Sequence, residues 1–489
     1  ALGVAILDYT RSFNIGVSEF VSMGNKTDVS SNDLVQWWDA DPRTKVMLLY
    51  LESFGNPRKF LRLAREITMR KPIVAVKSGR TRRGMTAASS HTGALAGADV
   101  AVDAIFAQTG VIRVDTVEEL FDMAAFLAYQ PMPRGSRVAI LTNAGGPGIL
   151  ATDACEAQGL EVPDLAEATT ARLREFLPPE ASLRNPVDMI ASATARNYER
   201  AARALLDDPG IDALIALFVP PIVTEPREVA QGIVNGSQGT EKPVLTCFLG
   251  KHGVPEGLRS LKEGNIPSYA FPESAVRVLG RAVRHGQWMA KAPGCEILFD
   301  DIRGEEAAGL FASARERLGN EGGWLQADEV DRVLGAYGIG TPRVLFAATP
   351  EEAVAAARSL GFPVVVKLAS DTISHKTDVG GVRLDLRTEA EVEHAVSEIC
   401  AALRARGLEG AARGFTVHPL VKGGVEVLVG VTQDPKFGPL VAFGLGGVQV
   451  EVMKDVTFRL HPLTDRDADE MVRGVRGYAL LDGYRGAPP

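Results

Sequence analysis

Two short loops hold histidines in settings spare enough for covalent chemistry. The first is "SSHTGALAGAD", Ser89 to Asp99, in which His91 lies among small hydroxylated residues and glycines. The second is "SDTISHKTDVGG", Ser370 to Gly381, in which His375 again follows a serine and precedes threonine and glycines. The chain has only 7 histidines in 489 residues. A neutral imidazole nitrogen can attack phosphorus, and a reference pKa of about 6.5 leaves the ring largely unprotonated at neutral pH. The resulting phosphohistidine carries about two negative charges and calls for helix N-termini around it. A carboxylate on the other ring nitrogen would fix the tautomer and support the ring as the bond forms. Glu52, at the end of the apolar run "VMLLYLE", is a candidate. Each residue also has an ordinary reading: an exposed or capping histidine, a surface carboxylate at a strand end.

The stretch "TNAGGPGILATDACEAQG", Thr142 to Gly159, runs from a strand through Asn143, Gly145, Gly146 and Gly148 into a helix. Glycines let backbone approach an anion, and Pro147 near the first helical turn loses no needed hydrogen bond. The free N–H groups of such a helix start attract phosphate. A tight strand-to-helix turn that binds nothing fits the same residues. Lys367 closes the apolar run "FPVVVK". A lysine emerging from a buried strand suits a nucleotide phosphate, with snorkelling to solvent as its alternative. In "FGLGGVQVEVMKD", Glu451 and Asp455 follow a glycine turn and could meet a metal or nucleotide, or water alone.

Positioning these residues takes alternating strands and helices. "VMLLYLES" and "PIVAVKSG" read as buried strands around the helix "NPRKFLRLAREITMR", a unit that favours a parallel sheet. "VEELFDMAAFLAYQ" closes the first series and "PMPRG" links it to the next. The second series has strands "RVAILTNAGG", "IDALIALFVPP", "PVLTCFLG" and "IPSYAF", with "YERAARALLDD" and "SAVRVLGRAVRHGQWMA" as helices. A third region starts at "LQADEVDRVLGAYGI" and has strands "PVVVKLAS", "VEVLVGVT" and "LVAFGLGG". The length predicts about three domains.

Composition narrows the function. The net charge of -8 carries no long run of one sign and gives no reason to expect nucleic acid or an anionic membrane as partner. No apolar run reaches the roughly twenty residues of a bilayer span. The cysteines Cys155, Cys247, Cys295 and Cys400 form no Cys-x-x-Cys pair, which predicts neither a metal framework nor a disulfide scaffold and fits a cytoplasmic location.

Taken together, "SSHTGALAGAD", "TNAGGPG", "NPVDM", "HKTDVGGV", "GVTQDPKFGP" and "FGLGGVQVEVMKDV" resemble the ADP-forming (NDP-forming) acyl-CoA synthetases, relatives of succinyl-CoA synthetase. The resemblance covers essentially the whole chain. It implies an α/β fold: a flavodoxin-like CoA-ligase domain over 1–130, a second over 135–290, a linker over 291–321 and an ATP-grasp domain over 322–489. It implies the reversible reaction of acid, CoA and ATP to acyl-CoA, ADP and phosphate through an acyl phosphate and a phosphohistidine. His91 matches the phosphorylated histidine, Glu52 the carboxylate that steadies it, and the Asn143–Gly148 loop a helix start that receives the phosphoryl group. His375 resembles a second phosphorylatable histidine. Lys367 matches a nucleotide-binding lysine, and Pro419, Leu420 and Val421 with Glu426 look like the adenine hinge; Glu451 is placed with the nucleotide. ATP or ADP, Mg²⁺ and coenzyme A are the implied cofactors. A small carboxylic acid, phosphate and a second copy in a homodimer are the implied partners.

Set against that pattern, the chain begins at the "ALG" of a domain junction and ends on "LLDGYRGAPP". It is therefore expected to lack the family's preceding CoA-binding domain and the closing ATP-grasp strands that hold Mg²⁺. The resemblance consequently names no metal ligands, and it does not require the fragment alone to be active. Related chains serve as acyl-CoA- or nucleotide-sensing portions of protein acetyltransferases, or as ATP- and CoA-dependent lyases. Retention of both His91 and His375 favours the ligase, because a sensor needs neither.

Overall fold

The computed structural model describes residues 3, 6–8, 10, 15–24, 28–79, 99–221, 224–250, 254–319, 322–370, 372–373, 375–447 and 455–484. His91 and Glu451 lie outside the described residues. The chain forms two compact units, one of Ala1–Glu296 with Val427–Pro489 and one of Ile297–Glu426.

The first unit begins with a parallel sheet of β1 (Met47–Leu51), β2 (Ile73–Lys77) and β3 (Ile112–Val114), in that spatial order. Every residue of β2 is buried, as a central parallel strand requires. The helix Pro57–Ile67 returns the chain from β1. Asn56 caps it by accepting the Lys59 N–H at 3.0 Å, Pro57 pre-sets its first turn, and Phe60, Leu61, Ala64 and Ile67 form its buried stripe.

A second parallel sheet has β4 (Val138–Thr142), β5 (Val187–Asp188), β6 (Ala213–Phe218) and β7 (Val244–Phe248) in the order β5-β4-β6-β7. Strand order reverses beside β4, so the crevice at the C-terminal ends of β4 and β6 is where such sheets bind ligands. "IPSYAF" makes no full strand; only Ser268 bridges to Thr246. Val74, Val76, Ile112 and Val114 share one core with Val138, Ile140, Leu217 and Leu245. Helices Val117–Tyr129, Gly145–Ala157 and Pro272–Ala290 supply the apolar layer between them.

The second unit carries an antiparallel sheet of β8 (Leu345–Ala347), β9 (Val364–Ala369), β10 (Val382–Leu386) and β11 (Gly414–Pro419), ordered β10-β9-β11-β8. Helices Pro350–Leu360 and Glu389–Arg404 cover its core. Within 291–321, where the sequence predicts a linker, residues Gly304–Leu318 form a helix. Its buried Ala307, Leu310 and Ala314 recur at helical spacing, and the surrounding charge masks that stripe.

The chain then returns to the first unit as an antiparallel sheet of β12 (Val427–Asp434), β13 (Gly438–Leu445) and β14 (Val456–Leu460). Phe437, Leu440 and Leu460 join the core of Met47, Phe60, Ile73 and Ile105. Gln108 seals the seam: its Nε2 donates to the Leu460 carbonyl at 3.1 Å and its Oε1 accepts the Leu460 N–H at 2.8 Å.

Asp122 gives this unit a pH dependence. It is buried on the helix Val117–Tyr129, and burial, with Glu118 adding repulsion, pushes its pKa from 3.8 up to about 6. A carboxyl raised in the folded state is stabilised protonated, so stability is intact below the unfolded pKa and falls as pH rises through about 6. The loss is about 3 kcal/mol by that shift. Asp122→Asn should remove it. Urea midpoints at pH 5 and pH 8 should then converge, with the variant the more stable at pH 8.

Candidate functional site

The expected residues divide between the two units. In the first, Glu52 follows β1 directly and is half-buried. Lys77 closes β2 opposite Leu51, and its residue surface is 3% exposed. Its ammonium donates to the Ser78 carbonyl. Burial pushes the Lys77 pKa down, while Asp99 and Glu52 favour its charged form. Sequence reasoning passed over Lys77, which ends a fully buried strand, whereas Lys367 lies within β9. The segment that follows β2 leads to His91, within the span 80–98 outside the described residues.

At the crevice of the second sheet, β4 runs into the helix Gly145–Ala157, whose start has no side-chain cap. Its first-turn N–H groups are therefore available to an anion. Gly148 lies where a Cβ would come within 3.2 Å of the Thr142 methyl, so the turn is closed by close approach of backbone. Asn143 is committed elsewhere. Its Nδ2 donates to the Val219 carbonyl at 2.8 Å and its Oδ1 accepts the Val219 N–H at 2.9 Å. This pair locks the turn after β4 to the end of β6, so the Asn143 side chain shapes the loop. Asn143→Ala would strand both Val219 groups, and a loss of about 2–4 kcal/mol is expected in urea unfolding.

Two further residues of "NPVDM" act here. Asn185 ties the loop to β4, its Oδ1 accepting Ile140 N–H at 2.9 Å and its Nδ2 donating to Val138 and Pro163 carbonyls at 2.8 and 3.0 Å. Asp188 caps Ile190 N–H at 2.9 Å and stands beside Gly145. Asp188 was legible in the motif but not as a neighbour of the helix start. Cys155 offers no rival nucleophile, since burial pushes its thiol up to about 12.

In the second unit, Lys367 is half-buried on β9. The loop after β9 carries His375, which is exposed. That loop is strapped back by Gly381 N–H to Lys376 carbonyl and by Leu368 N–H to Gly381 carbonyl, each at 2.7 Å. The residues expected to form the hinge lie at the other end of β9, because Pro419 pairs with Val364 and Gly414 with Ala369. Five residue steps along β9 separate the ends by about 16 Å, with Lys367 between them. Such a track suits a nucleotide with its base at Pro419 and its phosphates toward His375.

Within the hinge, His418 Nδ1–H donates to the Pro419 carbonyl at 3.1 Å in the matching tautomer. Leu420 N–H donates to the Pro363 carbonyl at 3.0 Å, while Val421 is 71% exposed. Burial pushes the His418 pKa down, and Lys367 adds to the effect. Glu426 is exposed. A groove of about 330 Å³ between β10 and the helix Glu389–Arg404 is lined by none of these residues.

Asp455 is neither solvated nor a free metal ligand. It is buried, and its carboxylate accepts Arg476 and Gly477 N–H groups at 2.8 and 2.9 Å, so it caps a turn. Among the described residues no group of three His, Cys, Asp or Glu side chains could hold a metal ion. No described helix is long and apolar enough to cross a membrane.

Three known families match in turn. Residues 1–127 match the succinyl-CoA ligase-like flavodoxin domain, 138–293 the ligase-CoA domain and 316–489 the ATP-grasp domain. The ADP-forming acetate–CoA ligase I of Archaeoglobus fulgidus is 38% identical over 486 residues, 99% of this chain and 69% of that protein. The ADP-forming 4-hydroxybutyrate–CoA ligase of Nitrosopumilus maritimus is 36% identical over 495 residues, 100% of this chain and 70% of that protein. Among solved structures, the dinucleotide-forming acetyl-coenzyme A synthetase 1 of Ca. Korarchaeum cryptofilum, in complex with phosphate and ADP, aligns with TM-score 0.56 and 36% identity. That alignment covers 60% of this chain and 65% of the other, so the chain spans about two thirds of the length of the proteins it matches.

Proposed function

The chain belongs to the ADP-forming acyl-CoA ligases, a family of acid–thiol ligases, and from that premise we propose that it performs their phosphoryl relay. Inorganic phosphate attacks an acyl-CoA, forming an acyl phosphate and releasing CoA. An imidazole nitrogen of His91 takes the phosphoryl group, and the free acid departs. The group then passes by way of His375 to ADP, which gives ATP and restores both rings. Run backwards, the same steps join an acid to CoA at the expense of ATP. Each transfer breaks one bond to phosphorus and makes one, so no oxidant or further reactant is needed.

The observation that carries this reading is the uncapped helix start at the crevice beside β4, with its glycine turn locked by Asn143. A doubly charged phosphoryl group is stabilised there by backbone N–H groups and by the helix dipole. Glu52, at the end of β1, orients the His91 ring and supports its positive charge. Lys367 holds nucleotide phosphates and the strand end at Pro419, Leu420 and Val421 receives the base, with Glu426 beyond it. Mg²⁺, when bound, neutralises nucleotide phosphates; no described residue is assigned to it. CoA, phosphate, a small carboxylic acid and ATP or ADP are the proposed ligands, and a cytoplasmic homodimer the proposed state. The proposed domains are 1–130, 135–290 and 322–489.

The reaction is tested with a panel of carboxylic acids, CoA, ATP and Mg²⁺. ADP should appear in step with one acyl-CoA. Release of AMP would overturn the route, and nucleotide binding without turnover of any acid would favour the sensing role.

A further inference from the structure

We propose that His285 is a pH-sensitive pin: neutral, it holds together three distant stretches of the chain, and in mild acid it releases that joint. The ring sits near the end of the helix Pro272–Ala290 and is 4% exposed. In the tautomer protonated on Nδ1, it donates to the Gly110 carbonyl at 3.1 Å. Its Nε2 is buried and, among the described residues, has no hydrogen-bond partner.

The three stretches belong to the three family matches. Gly110, between the helix Asp99–Thr109 and β3, lies in the first, His285 and Trp288 in the second, and Arg466 in the third. The His285 and Trp288 rings are parallel to within 9°, with centres 6.4 Å apart. Gly110 has φ +67°, and a Cβ there would strike the Trp288 ring. Arg466 sets its guanidinium over Trp288 at 4.9 Å and donates to the Trp288 carbonyl at 3.0 Å. One ring pair and its bonds therefore tie the turn at Gly110, the end of one helix and the start of the helix Asp465–Arg473.

Protonation gives Nε2 an N–H with no acceptor and gives the ring a charge that buried surroundings cannot solvate. The cations around the joint are Arg281 and Arg284 on the same helix, Arg466 over Trp288, and Arg65, whose Nε donates to the Gln108 carbonyl at 3.3 Å. Arg65 takes Asp467 at 2.6 Å, and Arg281 takes Glu119 at 3.0 Å. The packed helices Val117–Tyr129 and Gly145–Ala157 also carry Glu118, Asp122, Asp153 and Glu156. Among the described residues no carboxylate forms an ion pair with the ring, and neither burial nor charge favours its protonated form. Burial holds the His285 pKa below its ordinary value, with the bond to Gly110 opposing. A histidine whose folded pKa lies below the unfolded value of about 6.5 gives stability that is complete above that value and is lost as pH falls through it. That sign is opposite to the sign at Asp122, so the two effects are separable.

The test is hydrogen exchange of the full chain, read by mass spectrometry at about pH 5.5 and about pH 7.5 and corrected for intrinsic rates. Peptides spanning Gly110, Trp288 and Arg466 should lose protection together by about tenfold in acid, while the helix Ala195–Asp207 keeps its own. His285→Asn offers an amide N–H to the same carbonyl and cannot titrate, so its protection should be equal at both pH values. Wild-type protection that ignores pH, a drop that survives in His285→Asn, or a loss shared equally by the helix Ala195–Asp207 would each overturn the proposal. Exchange of the imidazole C2 proton in the wild-type chain reads the same titration without a variant. A midpoint below about 6.5 is expected, and one at or above it would sink the pin.

Discussion

His91→Ala is expected to abolish acid-labile labelling of the protein from [γ-³²P]ATP and from acyl-CoA with [³²P]phosphate alike. Both directions must pass through the one nitrogen, so no detour is open when it is gone. Turnover should fall by at least about 10⁴-fold, since removing a covalent carrier leaves only binding and positioning effects. Folding should be unaffected. Urea unfolding at wild-type midpoint with no label is the expected pair of results. Robust label at another residue of the variant would refute the role of His91.

His375→Ala should divide the reaction in two. Labelling of His91 from acyl-CoA and phosphate should persist, because those steps need only the first unit's machinery. Labelling from ATP should fall by about 10²–10⁴-fold, the effect of losing a positioned group at a transfer step. The exposed position of His375, on a loop strapped to the end of β9, makes the substitution tolerable for the fold. Equal loss of labelling from both sides would place His375 with the acyl chemistry. No loss from either side would remove it from the relay.

Much of the scaffold was readable because its signals are local. The run into Thr142, the glycines around Pro147 and the helix that follows predict one strand–turn–helix unit, and the structure has it. Periodicity likewise located the helix Pro57–Ile67 and the strands on either side. What escaped was non-local. Leu440 falls in the predicted strand "LVAFGLGG", while Phe437 and Leu460 lie outside every predicted strand, yet all three complete the core around Phe60 and Ile105. A period of two tells which face is apolar and not which surface it covers.

The site was partly legible. Residue types pointed to the glycine turn, but the commitment of Asn143 to Val219 depends on β6 lying beside β4. The expected hinge residues fall at a strand end, while the use of the Pro419 carbonyl by His418 was not legible. Asp455 looked available and is spent on Arg476 and Gly477.

The most direct measurement is rapid-quench mass spectrometry of the wild-type protein mixed with acyl-CoA, phosphate and ADP. The account predicts a phosphorylated peptide from residues 80–98, modified on His91, that forms before ATP and decays at the rate ATP appears. ATP produced while that peptide stays unmodified, or a modified peptide that decays more slowly than turnover, would contradict it.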